Sequence, residues 1–439
     1  MKTVAITTLG CKINQFESAA MVEALAAEGF QVVPFAGPAD IYLINTCTVT
    51  AKTDAESRRL IRRAARQNPA ARIAVTGCYA QVAFEELRDM AEVDLILGNS
   101  EKKGIATLLK EIDSGQLDSG PRVRVSDISL EKSTEGTPLE SFAEHTRAFL
   151  QVQNGCDAKC AYCIVPAARG NSRSVPPAMA LEAIATFASR GFREVVLTGI
   201  HLGGYGLDLI PPTTLLDLLA AVEKGALVER LRIGSVEPTE VADEMIRFLA
   251  TAKTVCPHLH IPLQSGSDSV LARMNRTYPA ALFRDVVEKL ATAVPDICLG
   301  TDVITGFPGE TAAEFAAGYD FLASLPLAYL HVFPFSPRAG TPAAAMANPV
   351  QSAALSERAK ELRKLSDRKK GEFYQRFLGR ELQVLVQRGE KNGLLTGLSR
   401  NYIPVLLRGG SATLINSEVT VRVTGVARDN LIADCAIGN

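Results

Sequence analysis

A chain of 439 residues is longer than one hydrophobic core usually organises, so its length predicts several domains. Apolar residues at 47% and charged residues at 22% are ordinary globular values. A formal charge of -1 excludes a global field for gathering nucleic acid, so any RNA contact has to rest on local basic patches.

The chain opens Met1-Lys2 and runs straight into an alternating stretch, without the apolar core and cleavage site of a secretory signal. No run approaches the roughly eighteen apolar residues of a membrane span. The sequence therefore predicts a cytoplasmic protein with no membrane partner. In that compartment its nine cysteines stay reduced, which favours metal or cluster ligation over disulfides.

Residues 1–113 alternate candidate strands (Thr3 to Thr8, Ile41 to Asn45, Ile73 to Thr76, Val93 to Leu97) with candidate helices (Ala19 to Glu28, Ala55 to Gln67, Gln81 to Met90). That rhythm predicts a parallel α/β domain. From Ser114 to Thr146 the chain is polar and aperiodic, which reads as a linker. A second alternation fills residues 142–355, with strands at Ala148 to Val152, Glu194 to Leu197, Arg230 to Ile233, His258 to Ile261, Ile297 to Val303 and Ala328 to Phe333. Six β/α units make a barrel lacking two, whose chemistry collects at the carboxyl ends of the strands. A charged helix from Ser356 to Phe377 leads into residues 376–439, where Glu381 to Gln387, Leu394 to Leu398, Ile403 to Leu407, Val419 to Val423 and Leu431 to Ala436 read as strands of a small β-barrel with oligonucleotide-binding character. The expected fold class is α/β with that barrel appended.

The first barrel strand runs into Cys156-Asp157-Ala158-Lys159-Cys160-Ala161-Tyr162-Cys163. Three thiolates this close wrap one face of a cubane and leave one iron open, the cluster analogue of a catalytic zinc with a vacant position. A zinc knuckle is the alternative; His145 is the nearest further donor, but it precedes the strand and sits at its wrong end. Cys11, Cys47 and Cys78 each directly follow a candidate strand of the first domain. In a parallel sheet the loops after the strands share one edge, so these thiols are expected to converge there, although small buried cysteines also occur at strand ends.

C-x3-C-x2-C with an aromatic before the last cysteine resembles the radical S-adenosylmethionine superfamily. The words Thr8-Leu9-Gly10-Cys11-Lys12-Ile13-Asn14-Gln15, Asn45-Thr46-Cys47-Thr48-Val49-Thr50 and Thr76-Gly77-Cys78-Tyr79-Ala80-Gln81 resemble the N-terminal domain of its methylthiotransferases. With the appended barrel, similar to a TRAM domain, the resemblance covers nearly the whole chain. Lys12, Thr48 and Tyr79 most resemble the branch acting on N6-threonylcarbamoyladenosine.

The resemblance implies methylthiolation of C2 of that nucleoside at position 37 of tRNA. Two 4Fe-4S clusters would serve, one on Cys156, Cys160 and Cys163 and one on Cys11, Cys47 and Cys78, together with two S-adenosylmethionine molecules, one donating methyl and one the 5′-deoxyadenosyl radical. It also implies the tRNA anticodon stem-loop as partner, an external electron donor such as flavodoxin or ferredoxin, and a sulfur donor. Turns after later barrel strands supply cofactor contacts by the same analogy: Gly199 and His201, Ser235 and Glu237, Gln264, Arg276 and Val303, with Tyr162 and Phe335 beside them. Such turns are often only turns, and His258 and His260, on one strand face, read equally well as packing residues or substrate contacts. Cys256, Cys298 and Cys435 fit no ligand spacing and read as structural. Val175 and Gln387 depart from the family's usual pattern, where a basic residue and a carboxylate are common.

Arg58, Arg59, Arg62, Arg63 and Arg66 recur along one helix and read either as RNA-facing guanidiniums or as a solvated face. Arg400 and Tyr402 of the terminal barrel are further RNA candidates, Tyr402 by stacking. The same chemistry on isopentenyladenosine or on a ribosomal-protein aspartate, and a noncatalytic iron-sulfur RNA-binding or electron-transfer protein, are the competing readings.

Overall fold

Strand β1 (Thr3–Thr8) enters the core at once, and helix α1 (Lys12–Ala27) follows it with Cys11 as its N-cap. The sequence pattern hid the first two turns of this helix because buried polar residues are mixed with the buried apolar Ile13 and Phe16. Asn14 and Ser18 are buried, and Asn14 donates to the carbonyls of Leu9 at 2.7 Å and Thr46 at 3.0 Å. Edge strand β2 (Gln31–Val33) carries too few residues to show a period. There follow β3 (Ile41–Thr46), α2 (Ala51–Gln67), β4 (Arg72–Gly77), α3 (Cys78–Val82), α4 (Phe84–Arg88), β5 (Leu95–Leu97) and α5 (Ile105–Asp113). One helix expected from Gln81 to Met90 is thus two short ones, and Cys78 lies inside the first of them.

The computed structural model describes all residues except 114–121, 135–138, 140–145, 392 and 436–439. His145, Ala436 and most of the expected linker lie outside the described residues. Within that linker, β6 (Arg122–Arg124) pairs in parallel with β5 and completes the sheet β2-β1-β3-β4-β5-β6. The linker reading is corrected there: a three-residue strand with one apolar side chain, Val123, makes no periodic signal.

The central unit comprises β7 (Arg147–Gln151), β8 (Gln153–Asn154), α6 (Val165–Arg169), β9 (Arg173–Ser174), α7 (Pro177–Ser189), β10 (Glu194–Thr198), α8 (Leu215–Gly225), β11 (Arg230–Ile233), α9 (Asp243–Thr251), β12 (His258–His260), α10 (Asp268–Arg273), α11 (Ala280–Ala293), β13 (Cys298–Thr305), α12 (Ala312–Ser324) and β14 (Tyr329–Pro334). Parallel triplets β11-β10-β7 and β12-β13-β14 meet through single bridges, Leu231 with Val255 and Ser235 with His260, giving the six-stranded incomplete barrel. Helix α1 of the first unit lies against β7, and its Phe16 belongs to the barrel's own core.

Helix α13 (Ser352–Gln375) then leads to β15 (Glu381–Lys391), β16 (Leu394–Ser399), β17 (Pro404–Arg408), β18 (Glu418–Val426) and β19 (Leu431–Cys435), a closed barrel of order β15-β16-β17-β19-β18. It docks at the amino ends of the central strands through buried charge. Glu194, fully buried, accepts from Arg230 Nε at 2.9 Å and Arg232 Nε at 3.0 Å. Those two arginines continue into the terminal barrel, to Glu418 at 2.6 Å and to the carbonyls of Leu398 and Arg400, each at 3.0 Å. Burial pushes the Glu194 carboxyl up, but Arg232, Arg230 and Arg147 outweigh it and hold it at about 2. Among the described residues no helix is long and apolar enough to cross a membrane.

Candidate functional site

Cys11, Cys47 and Cys78 lie at the carboxyl ends of β1, β3 and β4, at one edge of the first sheet. Local backbone makes room for them. A Cβ on Gly10, at φ +100°, would stand 2.8 Å from Cys47 Sγ, and one on Gly77, at φ +101°, would stand 2.3 Å from the Thr46 carbonyl oxygen. Only glycine allows both turns at this spacing. Burial, then Cys78, pushes the Cys47 thiol up to about 11.

The second set follows β7. Cys163 is pushed up to about 12 by burial. His201 hydrogen-bonds Cys156 and pairs with Glu240 at 2.5 Å, and these two contacts, in that order, lift the imidazole to about 10. Arg276 donates to Cys160 Sγ at 3.4 Å and to Tyr278 Oη at 2.6 Å, and is ion-paired with Glu237.

Tyr162 and Cys163 line a cleft of about 170 Å³ together with Gln264, Asp302, Ile304, Phe333 and Phe335. Val49 and Thr50, from the loop after Cys47, line it from the other unit. Arg338 closes that seam, donating to Thr48 at 2.6 Å and pairing with Asp54 at 2.5 Å. The cleft is thus bordered by Cys163 of the central set and by the loop that follows Cys47 of the N-terminal set.

The structure places the expected contacts as follows. Val303 turns its side chain into the barrel core, and its neighbours Asp302 and Ile304 face the cleft instead, as strand alternation requires. Arg276 and Glu237 meet one another, so Arg276 already has its carboxylate. Ser235 is exposed at the end of β11, Gly199 packs against the Gln153 side chain, and Gln264 adopts φ +74° while bridging to Val303. Of the RNA candidates, Arg400 is wholly engaged: it pairs with Glu418 at 2.7 Å and donates to the carbonyls of Lys253 at 2.7 Å and Glu229 at 3.2 Å, clamping the two units. The Tyr402 ring stacks on His258 at 4.1 Å, with Arg232 5.0 Å from its centroid. Arg58 is held by Tyr79 Oη at 2.5 Å and by Glu86, Arg62 has a longer pair with Glu92 at 3.8 Å, and Arg66 is exposed in the last helical turn.

His258 is a packing residue, bonded to Tyr329 Oη at 3.0 Å, whereas His260 and His331 flank Asp302 at 2.9 and 3.3 Å at the rim of the cleft. Cys256 and Cys298 are buried in packing positions, and Val175 is buried among apolar neighbours. Sequence reasoning missed Arg169, Arg338, Asn99 and Gln153. Their partners come from remote segments, so no local spacing announces them.

The thiol sets suit clusters better than single ions. Each set offers three free thiols, one donor short of a closed tetrahedral zinc site and the number that leaves one iron of a cubane open.

Family models bear on each unit: "Uncharacterized protein family UPF0004" matches residues 3–98, the "Radical SAM superfamily" residues 150–322 and the "TRAM domain" residues 375–435. Among solved structures, the radical S-adenosylmethionine methyltransferase TsrM from Kitasatospora setae is similar with a TM-score of 0.57, covering 78% of this chain and 77% of that one at 16% identity, a likeness of fold. Fold and cysteine pattern together define a radical S-adenosylmethionine enzyme. Curated relatives narrow the class. Threonylcarbamoyladenosine tRNA methylthiotransferase MtaB of Bacillus subtilis (strain 168) is 38% identical over 429 residues, 96% of this chain and 94% of its own. Its namesake from Aquifex aeolicus (strain VF5) is 38% identical, covering 92% and 97%. A tRNA-2-methylthio-N(6)-dimethylallyladenosine synthase of Parafrankia sp. (strain EAN1pec) is 34% identical, covering 91% and 82%. The chain belongs to the methylthiotransferase family of radical S-adenosylmethionine enzymes, of the MtaB type, and is a transferase.

Proposed function

We propose that this enzyme modifies tRNA, placing a methylthio group on C2 of N6-threonylcarbamoyladenosine at position 37 with two 4Fe-4S clusters and two S-adenosylmethionine molecules. The observation that carries this reading is a pair of three-cysteine sets, one at the edge of the first sheet and one after β7, with Cys163 and the loop after Cys47 lining the same cleft. Full-length similarity to relatives named for that nucleoside supports the substrate. Cys156, Cys160 and Cys163 would hold one cluster and Cys11, Cys47 and Cys78 the other, and once bound these groups and S-adenosylmethionine supply one-electron and group-transfer chemistry that side chains lack.

The chain's own residues prepare the site. Thiols held as high as Cys47 and Cys163 must release protons on loading, so incorporation of iron is favoured by raised pH. His201 and Arg276 present N–H donors to Cys156 and Cys160 and orient them. Phe333, Phe335, Ile304 and Val49 form an apolar wall able to receive a flat base and exclude water, and Asp302 is the polar group set into it. An external electron donor and a sulfur donor complete the reaction in this reading.

The test is an anaerobic incubation of reconstituted protein with reductant, S-adenosylmethionine and tRNA bearing either N6-threonylcarbamoyladenosine or N6-isopentenyladenosine, followed by nucleoside mass spectrometry. The 2-methylthio product on the first substrate, with 5′-deoxyadenosine released, is expected. Product on the second substrate alone moves the enzyme to the other branch, and absence of both products with clusters loaded favours a noncatalytic protein.

A further inference from the structure

Two cysteine sets carried by separate units need a fixed relation, and Arg169 spans the distance between them. It ends α6, six positions after Cys163, and is 1% exposed. Every side-chain partner it has among the described residues belongs to the N-terminal unit: Nε donates to Cys78 Sγ at 3.1 Å, and the terminal nitrogens bond Glu17 and Asn14. On the main chain, the next carbonyl, of Gly170, accepts the amide of Cys156 at 3.0 Å. Two consecutive residues thus touch Cys78 of one set and Cys156 of the other. Asn99 ties the same seam, donating to the Ala168 carbonyl at 2.7 Å.

Among the described residues the charge here is unbalanced. Glu17 is shared between Arg169 and Lys102, the latter at 2.5 Å, so two buried cations face one carboxylate beside Cys78. By contrast, Arg276 beside Cys160 has Glu237 and His201 beside Cys156 has Glu240.

We propose that Arg169 is a positioning residue by which the radical module sets the reduction potential of the cluster held by Cys11, Cys47 and Cys78. This rests on the two-cluster reading above. Each electron added makes such a cluster more negative, and a desolvated guanidinium bonded to a ligand sulfur favours the reduced form.

The test uses full-length protein carrying Cys156→Ala, Cys160→Ala and Cys163→Ala, reconstituted anaerobically, with the midpoint potential followed by electron paramagnetic resonance. Arg169→Met should shift the reduction equilibrium at least tenfold toward the oxidised form, about 59 mV for one electron. Arg169→Lys should retain most of the wild-type value, and Glu17→Gln should move the potential upward. With Cys11, Cys47 and Cys78 replaced by alanine instead, Arg169→Met should leave the radical-module cluster unchanged. Unchanged potentials in Arg169→Met and Glu17→Gln, with iron retained, would overturn the proposal. If Arg169→Met sheds its iron, Glu17→Gln decides, and no upward shift overturns it. Failure of the parent background to bind iron refutes the two-cluster reading, and the proposal with it.

Discussion

Glu194→Gln is the most informative single perturbation of the architecture. The carboxylate is fully buried among Arg230, Arg232 and Arg147, and the first two of these also grip the terminal barrel. Holding its carboxyl at about 2 instead of the ordinary 4.5 corresponds to about 3 kcal/mol of stabilisation of the ionised form. Removing the charge leaves Arg232 buried without a carboxylate and Arg230 with Glu418 alone, and breaking such a buried pair costs about 3–5 kcal/mol. Because the folded value is depressed, this stability is present above about pH 4.5 and is lost as pH falls toward 2. The chain has no tryptophan, so far-ultraviolet circular dichroism in a urea titration is the suitable assay. The gap between wild type and variant should be about 3 kcal/mol at neutral pH and should narrow on acidification. A variant within about 0.5 kcal/mol of wild type at pH 7, the range of an ordinary surface change, would refute this account of domain docking.

Three further outcomes are expected. Cys160→Ala and Cys47→Ala should each remove about half the iron of reconstituted protein, and the double variant nearly all of it; loss of all iron in either single variant argues against independent sites. Gly77→Ala forces a side chain into φ +101° against the Thr46 carbonyl, so it should cost more than about 1–2 kcal/mol and deplete iron from the N-terminal set, read by melting temperature and metal analysis. Arg338→Ala breaks the clamp to Thr48 and Asp54, leaving Asp54 buried without its cation; limited proteolysis should release the N-terminal unit faster, while iron bound by Cys156, Cys160 and Cys163 is retained.

Chain-local signals carried much of this molecule. Strands such as Thr3–Thr8, Ile41–Thr46 and Arg230–Ile233 were legible because they are apolar, buried and bounded by turns, and C-x3-C-x2-C was legible because its three thiols are neighbours in sequence. Cys11, Cys47 and Cys78 were legible through topology, since parallel strands deliver their following loops to one edge. Hidden features share a different cause. The start of α1 was masked by buried Asn14 and Ser18, whose polarity is repaid by hydrogen bonds to other segments. β2 and β6 were too short for periodicity. That Arg400 and Tyr402, RNA candidates in one dimension, also join two units could be read only in three.

By itself the sequence determined the succession of units and the identity of the thiol donors, because backbone propensity and spacing act between neighbours along the chain. Only the tertiary structure decided which charges are spent inside the protein: Arg169 on Cys78, Arg276 on Glu237, Arg338 on Asp54 and the arginines around Glu194. A buried charge has to find its partner wherever packing brings one, and packing joins residues that the chain keeps far apart.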